Sequence, residues 1–171
     1  MTAINSNRAI RGPVTAVPVV AGKGVRLVAD TENNRIVAEA DETVLYTSTF
    51  ANAGGDVSLS ESAENFQYLQ ITYMLESNVD WYAPIETKKI DIETMLASSS
   101  TNRKISLESV FTIVSDGNHY EIRNAMFTMN ASTLVLNSVV SSLDYGGRNN
   151  MSSSAAKVLK VIGINRISAS N

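Results

Sequence analysis

Histidine and cysteine, the side chains best suited to catalysis near neutral pH, are scarce in this 171-residue chain. It has one histidine, His119, and no cysteine. A lone histidine cannot build a multi-histidine metal site, and a chain without cysteine has no thiolate nucleophile, disulfide or Cys-ligated zinc. The neighbours of His119 match no nucleophile motif. An ordinary surface histidine is therefore the preferred interpretation over a general base.

One pair of carboxylates has a spacing that hydrolytic chemistry can use. Asp91 and Glu93 are two residues apart, so on a strand they share one face. Two acids on one face could serve glycoside hydrolysis if a second strand opposed them at the right gap. The adjacent Lys88 and Lys89 favour a solvated, charged face instead.

A cluster of oxygen-bearing side chains raises the possibility of calcium binding. Asp30, Glu32, Asn33 and Asn34 alternate carboxylate and amide oxygens within one turn, as calcium ligands do. The EF-hand pattern also requires a glycine and a more distant glutamate in register, and the sequence has neither. A polar hairpin tip is therefore preferred, and we expect no metal, no cofactor and no catalytic residue.

Aromatic residues in predicted loops are the best candidates for ligand binding. Trp81, the single tryptophan, stands beside Tyr82 in one loop, and Tyr145 lies in another. Aromatic faces stack on the apolar faces of sugars, and loops at the end of a sandwich commonly bind ligands. A glycan contact is one interpretation. The alternative is that Trp81 closes the end of the fold or a subunit contact.

Composition excludes several classes of protein. The formal net charge is −3, and no run of Lys or Arg exceeds two residues, so no nucleic-acid surface is expected. No apolar stretch approaches the ~20 residues that span a bilayer, so membrane insertion is not expected. The N-terminus is polar and does not fit a secretory signal. We expect a protein that is not an enzyme.

The segments that carry the candidate catalytic, metal-binding and ligand-binding residues are predicted to be strands and the turns between them. Two β-prone runs, 25–29 and 35–39, flank the Asx-rich turn and predict a hairpin. Segment 85–96 fits both helical and strand spacing, and strand is favoured because its neighbours are strands. The expected architecture is an antiparallel β-sandwich of about eight strands, with a loop over 145–154. The predicted strands are 43–48, 57–60, 66–75, 85–96, 104–115, 119–130, 133–141 and 157–166.

The first 24 residues predict an irregular arm that nevertheless contains an apolar segment. Pro18 interrupts a β-branched run that would be prone to aggregation if it were exposed. We expect this run to pack against a partner subunit. The residues expected to make that contact are Val14, Val17, Val19 and Val20.

Three stretches of the chain carry a resemblance to a known family. They are AGKGV at 21–25, NRIVAEADETVLY at 34–46 and the closing KVIGINR at 160–166. With LSESAENF at 59–66 between them, they resemble bacteriophage head-fibre and tail-fibre proteins that carry a C-terminal jelly-roll-like tip domain. The resemblance covers the chain from about residue 21 onward, but the extended shaft of a long fibre has no counterpart here.

The resemblance implies a homotrimer located on the virion and assembled in the host cytoplasm. Residues 1–42 would form a virion-attachment arm and a trimerisation hairpin, and 43–171 the sandwich tip. Its partners would be identical subunits, phage capsid or tail proteins, and host-surface carbohydrate. Position on head or tail stays open. The alternatives are a capsid decoration protein without receptor binding and a monomeric carbohydrate-binding module.

Overall fold

The computed structural model describes residues 25–49, 54–76, 84–98, 103–113, 119–143 and 147–167, which form an antiparallel all-β fold. Helix within these ranges is limited to α1, Ile92–Ser98, and two 3-10 turns, Ala63–Asn65 and Ser153–Ala155. The predicted β-sandwich class is thereby confirmed. The strands are β1 Val25–Asp30, β2 Arg35–Ala40, β3 Glu42–Thr47, β4 Val57–Ser58, β5 Phe66–Leu75, β6 Glu86–Asp91, β7 Lys104–Ile113, β8 His119–Asn130, β9 Thr133–Leu143, β10 Arg148–Asn150 and β11 Ala156–Arg166.

Two sheets make up the sandwich. The first has the order β3-β11-β5-β6, and the second has the order β10-β9-β8-β7, with β4 also paired to β9. The pairings β3–β11 and β4–β9 are nested, as in a jelly roll, whereas β7 to β10 follow one another as a meander. In place of about eight predicted strands, the described part of the sandwich has nine.

Alternation along β5 explains which face the first sheet buries. Leu69, Ile71, Tyr73 and Leu75 point inward and are buried, as the period-two pattern predicts. Phe66, which the pattern assigns to the other face, is also fully buried. The core forms between the sheets, and its members from the second sheet include Ile105, Leu107, Ala125, Phe127, Met129 and Leu134.

The predicted hairpin is present as a separate two-stranded sheet. β1 pairs with β2 from Val25 opposite Ala40 to Asp30 opposite Arg35. Asn34 adopts a φ of 49°, the left-handed conformation that asparagine tolerates in a turn. Residues 1–24, which include Val14, Val17, Val19 and Val20, lie outside the described residues.

The prediction of a strand over 85–96 is wrong in its second half. β6 ends at Asp91 and α1 begins at Ile92, because the Asp91 carboxylate accepts a hydrogen bond from the backbone N–H of Thr94 at 2.8 Å. This is how an aspartate caps a helix N-terminus. Asp91 and Glu93 therefore do not share a strand face, and the paired-acid arrangement considered for glycoside hydrolysis is absent at this position.

The loop predicted over 145–154 contains regular structure. Arg148–Asn150 forms β10 on the edge of the second sheet, and a 3-10 turn follows at Ser153–Ala155. The Ser152 side chain caps that turn by accepting from the N–H of Ser154. At the earlier strand predicted over 57–60, only Val57–Ser58 is paired.

Candidate functional site: an apolar strip on the outer face of the second sheet

Three large apolar side chains lie together on the solvent side of the second sheet. Val110 is 61% exposed, Tyr120 50% and Ile122 48%. Val110 and Ile122 are direct cross-strand partners in the β7–β8 pair, and Tyr120 stands two residues from Ile122 on the same face. We call these three residues the outer strip.

The side chains next to the outer strip are polar and already bonded to each other. Asn124 donates to the Glu108 carboxylate at 3.0 Å and to the Ser106 hydroxyl, which itself donates to Glu108. This network fixes the edge of the outer strip. The result is an apolar surface bordered by hydrogen-bonded polar side chains, an arrangement typical of protein interfaces.

Beneath the outer strip, the inward face of β8 carries a buried ion pair. The Arg123 side chain is 0% exposed. Its Nε and Nη2 donate to the two oxygens of Glu121 at 2.9 and 2.6 Å, and its Nη1 donates to the Leu75 carbonyl of the other sheet at 3.1 Å. The guanidinium also lies 4.0 Å from the centre of the Phe111 ring.

The ion pair sets the charge state of Glu121. Hydrogen bonds from Arg123 lower the pKa of Glu121 against the opposing effect of burial, and the Ser141 hydroxyl lowers the pKa further. Both groups are thus held in their charged forms. A carboxylate bonded to a guanidinium on both oxygens is a poor proton donor or acceptor, so this pair joins the sheets rather than offering acid–base chemistry.

The polar tip of the β1–β2 hairpin is held by its own side chains. Asp30 accepts hydrogen bonds from the Asn33 amide at 3.0 Å and from the Arg35 guanidinium at 2.7 Å. These bonds lower the pKa of Asp30, Asn33 contributing most. Because the Arg35 guanidinium already binds the Asp30 carboxylate, the hairpin tip fits the polar-turn interpretation better than a calcium site.

Other acids of the described ranges also have basic partners. Glu61 binds Arg166 through both oxygens, at 2.7 and 2.8 Å, and this lowers the pKa of Glu61. Glu64 pairs with Arg103. Within the described residues, no group of three or more His, Cys, Asp or Glu is placed to hold a metal ion. No helix there has the length and apolar character to cross a membrane.

The residues predicted to bind glycans, Trp81, Tyr82 and Tyr145, lie outside the described residues. The strands flanking them are described. The Leu75 end of β5 lies beside β8, because Arg123 bonds to the Leu75 carbonyl, and Leu143 at the end of β9 pairs with Glu121 of β8. The Leu75 end of β5 and the Leu143 end of β9 therefore lie at the same end of the sandwich.

Sequence reasoning missed the outer strip, although a signal for it exists. Along β7, Ile105 and Leu107 point inward while Ser106 and Glu108 point outward, so Val110 is an apolar residue at an outward position. On β8, Ile122 has the same parity as the outward Asn124. Apolar residues on the outward positions of two directly paired strands predict a surface contact.

The described part of the chain is thus an antiparallel β-sandwich whose second sheet exposes the outer strip. Neither protein-family models nor curated proteins gave a match to the sequence.

Proposed function

We propose that this chain is a non-enzymatic structural protein of a bacteriophage virion, acting as a short trimeric fibre on the head or tail. The observation that carries the proposal is the outer strip. Val110, Tyr120 and Ile122 form one contiguous apolar surface in a single chain. Isolated exposed apolar residues are ordinary, but a contiguous patch on a sheet face marks a contact with another molecule.

Self-association can give this chain the stability that a chain without cysteine cannot gain from disulfides. Extracellular proteins often gain stability from disulfides, and this sequence has none. Burial of apolar surface between subunits contributes roughly 25 cal/mol per Å² removed from water. Together with the resemblance of 21–46 and 160–166 to phage fibre proteins, this supports an assembled virion component over a monomeric carbohydrate-binding module.

Attachment to host-surface glycans is part of the proposal, with Trp81, Tyr82 and Tyr145 as the contact residues. The described strand ends that flank them, Leu75 of β5 and Leu143 of β9, lie at one end of the sandwich, and this supports a shared binding surface. Phage capsid or tail proteins are the proposed anchor for the N-terminal residues. If the N-terminal residues bind phage capsid or tail proteins, the protein is located on the virion, and this location is part of the proposal.

Two measurements test the proposal. Native mass spectrometry of the full chain should give three times the chain mass of 18.5 kDa, and gold-labelled antibody should decorate intact particles of the encoding phage. A chain that is monomeric at micromolar concentration contradicts the trimer. Particles without label contradict virion localisation, and a glycan array without signal contradicts the attachment role.

A further inference from the structure

We infer that two residues at the end of β11, Asn165 and Arg166, form a clasp that fixes the direction in which the β1–β2 hairpin leaves the sandwich. Asp41 alone separates β2 from β3. In the described part of the chain the hairpin forms a sheet of its own, so its backbone connection to the sandwich passes through Asp41. Rotation at Asp41 would change the angle of the whole hairpin, as rotation at a hinge residue does. The clasp acts within one chain and is independent of the proposed trimer.

The clasp bonds to both the backbone and the side chain of Asp41. The Asn165 N–H donates to the Asp41 carbonyl at 2.8 Å, and the Arg166 N–H donates to the Asp41 carboxylate at 2.6 Å. The β3–β11 ladder ends one residue away, at Glu42 opposite Ile164. A residue has two soft backbone rotations, φ and ψ. Because its carbonyl and its carboxylate are both held, Asp41 cannot rotate about its Cα–C bond, the ψ rotation, without breaking a bond to β11.

The conformation of Asn165 lets two successive N–H groups reach one residue. Along a regular strand, successive N–H groups point in opposite directions, so only one of them could bond to Asp41. Asn165 adopts a φ of 58°, in the left-handed region, which turns both N–H groups to the same side. Its side-chain Nδ2 donates to the side-chain oxygen of Gln67 at 3.0 Å. A left-handed conformation persists where the surrounding bonds hold it, and here they join the clasp to β5.

The Arg166 side chain anchors the clasp to the sandwich. Its two terminal nitrogens donate to the two carboxylate oxygens of Glu61 at 2.7 and 2.8 Å, a paired geometry that holds a guanidinium in one orientation. The guanidinium also lies 4.7 Å from the centre of the buried Phe66 ring. One residue further on, the Ile167 N–H donates to the Asn65 carbonyl at 2.7 Å. The sandwich therefore holds the clasp, and the clasp holds Asp41.

A second arginine–glutamate pair at the same place provides a matched control. Arg103 pairs with Glu64, which lies in the 3-10 turn Ala63–Asn65, and within the described residues neither of them bonds to Asp41. Loss of either arginine removes one partly exposed ion pair beside this turn, so both losses should affect local stability to a similar extent. Only loss of the clasp should free Asp41. A difference between the two arginines in their effect on the hairpin direction therefore reports the clasp.

The distance between two spin labels tests the inference, since the natural sequence has no cysteine to compete for labelling. Glu32→Cys labels the hairpin turn, and Ser138→Cys labels an exposed position on β9. Double electron–electron resonance on labelled chains refolded with an excess of unlabelled chain measures this distance within one chain. The labelled chain should give one narrow distribution. Asp41→Ala and Arg166→Gln in this background should each broaden the distribution about twofold, because the hinge is then free to rotate, whereas Arg103→Gln should leave it narrow.

Circular dichroism should show an unchanged strand signal in all three variants, because Asp41, Arg103 and Arg166 lie outside the core. Asp41→Asn, which keeps an oxygen acceptor and removes the charge, should broaden the distribution less, and it serves if Asp41→Ala does not fold. Folded Asp41 and Arg166 variants with the narrow distribution of the labelled parent would overturn the clasp. A broad distribution in the parent, or equal broadening by Arg103→Gln, would overturn it too. A monomeric protein leaves the clasp standing, because its bonds lie within one chain.

Discussion

The ring of Phe66 occupies the space that a side chain at residue 163 would need. A Cβ atom placed on Gly163 would lie 2.6 Å from two atoms of this fully buried ring. The Arg166 guanidinium lies 4.7 Å from the centre of the same ring. Glycine is thus required in the middle of β11 for a packing reason, since it allows Phe66 to lie against the strand.

Gly163→Ala should therefore destabilise the fold by about 1–3 kcal/mol, the usual range for a forced overlap in a packed core. Urea unfolding followed by tryptophan fluorescence measures the loss. Phe66→Ala removes the Cγ, Cδ1 and Cδ2 atoms that the new methyl group meets, so the double variant should lose less than the sum of the two single losses. Additive losses would show that the ring does not set this requirement.

The edge strand β7 has backbone carbonyls that are bonded by side chains of the other sheet. The carbonyls of Ser106 and Glu108 face away from β8, where an unpaired edge would invite another strand. Lys88 of β6 donates to the Ser106 carbonyl at 2.7 Å, and the Tyr73 hydroxyl of β5 donates to the Glu108 carbonyl at 2.7 Å. Side chains of the first sheet thus complete the edge of the second.

Burial first, and then the nearby Glu86 carboxylate, raise the pKa of Tyr73 to about 12 from an ordinary value of 10.0. Tyr73→Phe should cost about 1–2 kcal/mol at pH 8, because it removes the hydroxyl's bonds to Glu108 and to Glu86. The raised pKa means that the native state holds the Tyr73 proton more tightly than the unfolded chain. The contribution of the protonated Tyr73 hydroxyl to the free energy of unfolding is therefore complete below pH 10 and is lost as pH rises through 12.

The stability difference between wild type and Tyr73→Phe should consequently narrow between pH 10 and pH 12. Denaturant titrations at pH 8, 10, 11 and 12 measure it. Tyr120→Phe, at a half-exposed position on the outer strip, is the control, because it removes a tyrosine hydroxyl without removing the bonds to Glu108 and Glu86. A gap for Tyr73→Phe that is constant over this range would contradict the assigned role of the hydroxyl.

Elements with a clear period were predictable, and elements defined by single side-chain contacts were not. β5 shows alternation over ten residues, so its position followed from that pattern. The switch from β6 to α1 depends on the Asp91 cap, because Ile90 and Ile92 continue the alternation of a strand past the true boundary. β10 has three exposed polar residues, Arg148–Asn150, and hence no period to recognise.

The candidate site was harder to predict than the fold for a physical reason. Trp81, Tyr82 and Tyr145 are predicted as ligand contacts because aromatic residues in loops indicate binding by their type alone. The outer strip consists of ordinary strand residues, and its meaning depends on the β7–β8 register that places Val110 opposite Ile122. Cross-strand neighbours are set by register, which the sequence of one strand does not contain.

At the scale of the whole molecule, Arg123 joins the two sheets at one end of the core. Its guanidinium bonds to Glu121 on its own strand and to the Leu75 carbonyl on the first sheet. A buried charge left without its partner typically costs about 3–5 kcal/mol, whereas replacing both partners with apolar residues can be nearly neutral. Arg123→Met should thus destabilise strongly, and the Glu121→Leu/Arg123→Met double variant should recover most of the loss.

The stability of the protein at low pH should show how much of the contribution of the Glu121–Arg123 pair comes from charge and how much from packing. The pKa of Glu121 is lowered from 4.5 by Arg123, so the unfolded chain takes up the proton at higher pH than the native state does. The stabilisation is complete above pH 4.5 and is lost as pH falls through the lower native pKa. The advantage of wild type over Glu121→Gln should therefore be constant from pH 8 to pH 6 and shrink below pH 4.5, as measured by urea unfolding at each pH. An advantage over Glu121→Gln that persists undiminished at pH 3 would mean that Arg123 holds the sheets by shape rather than by charge.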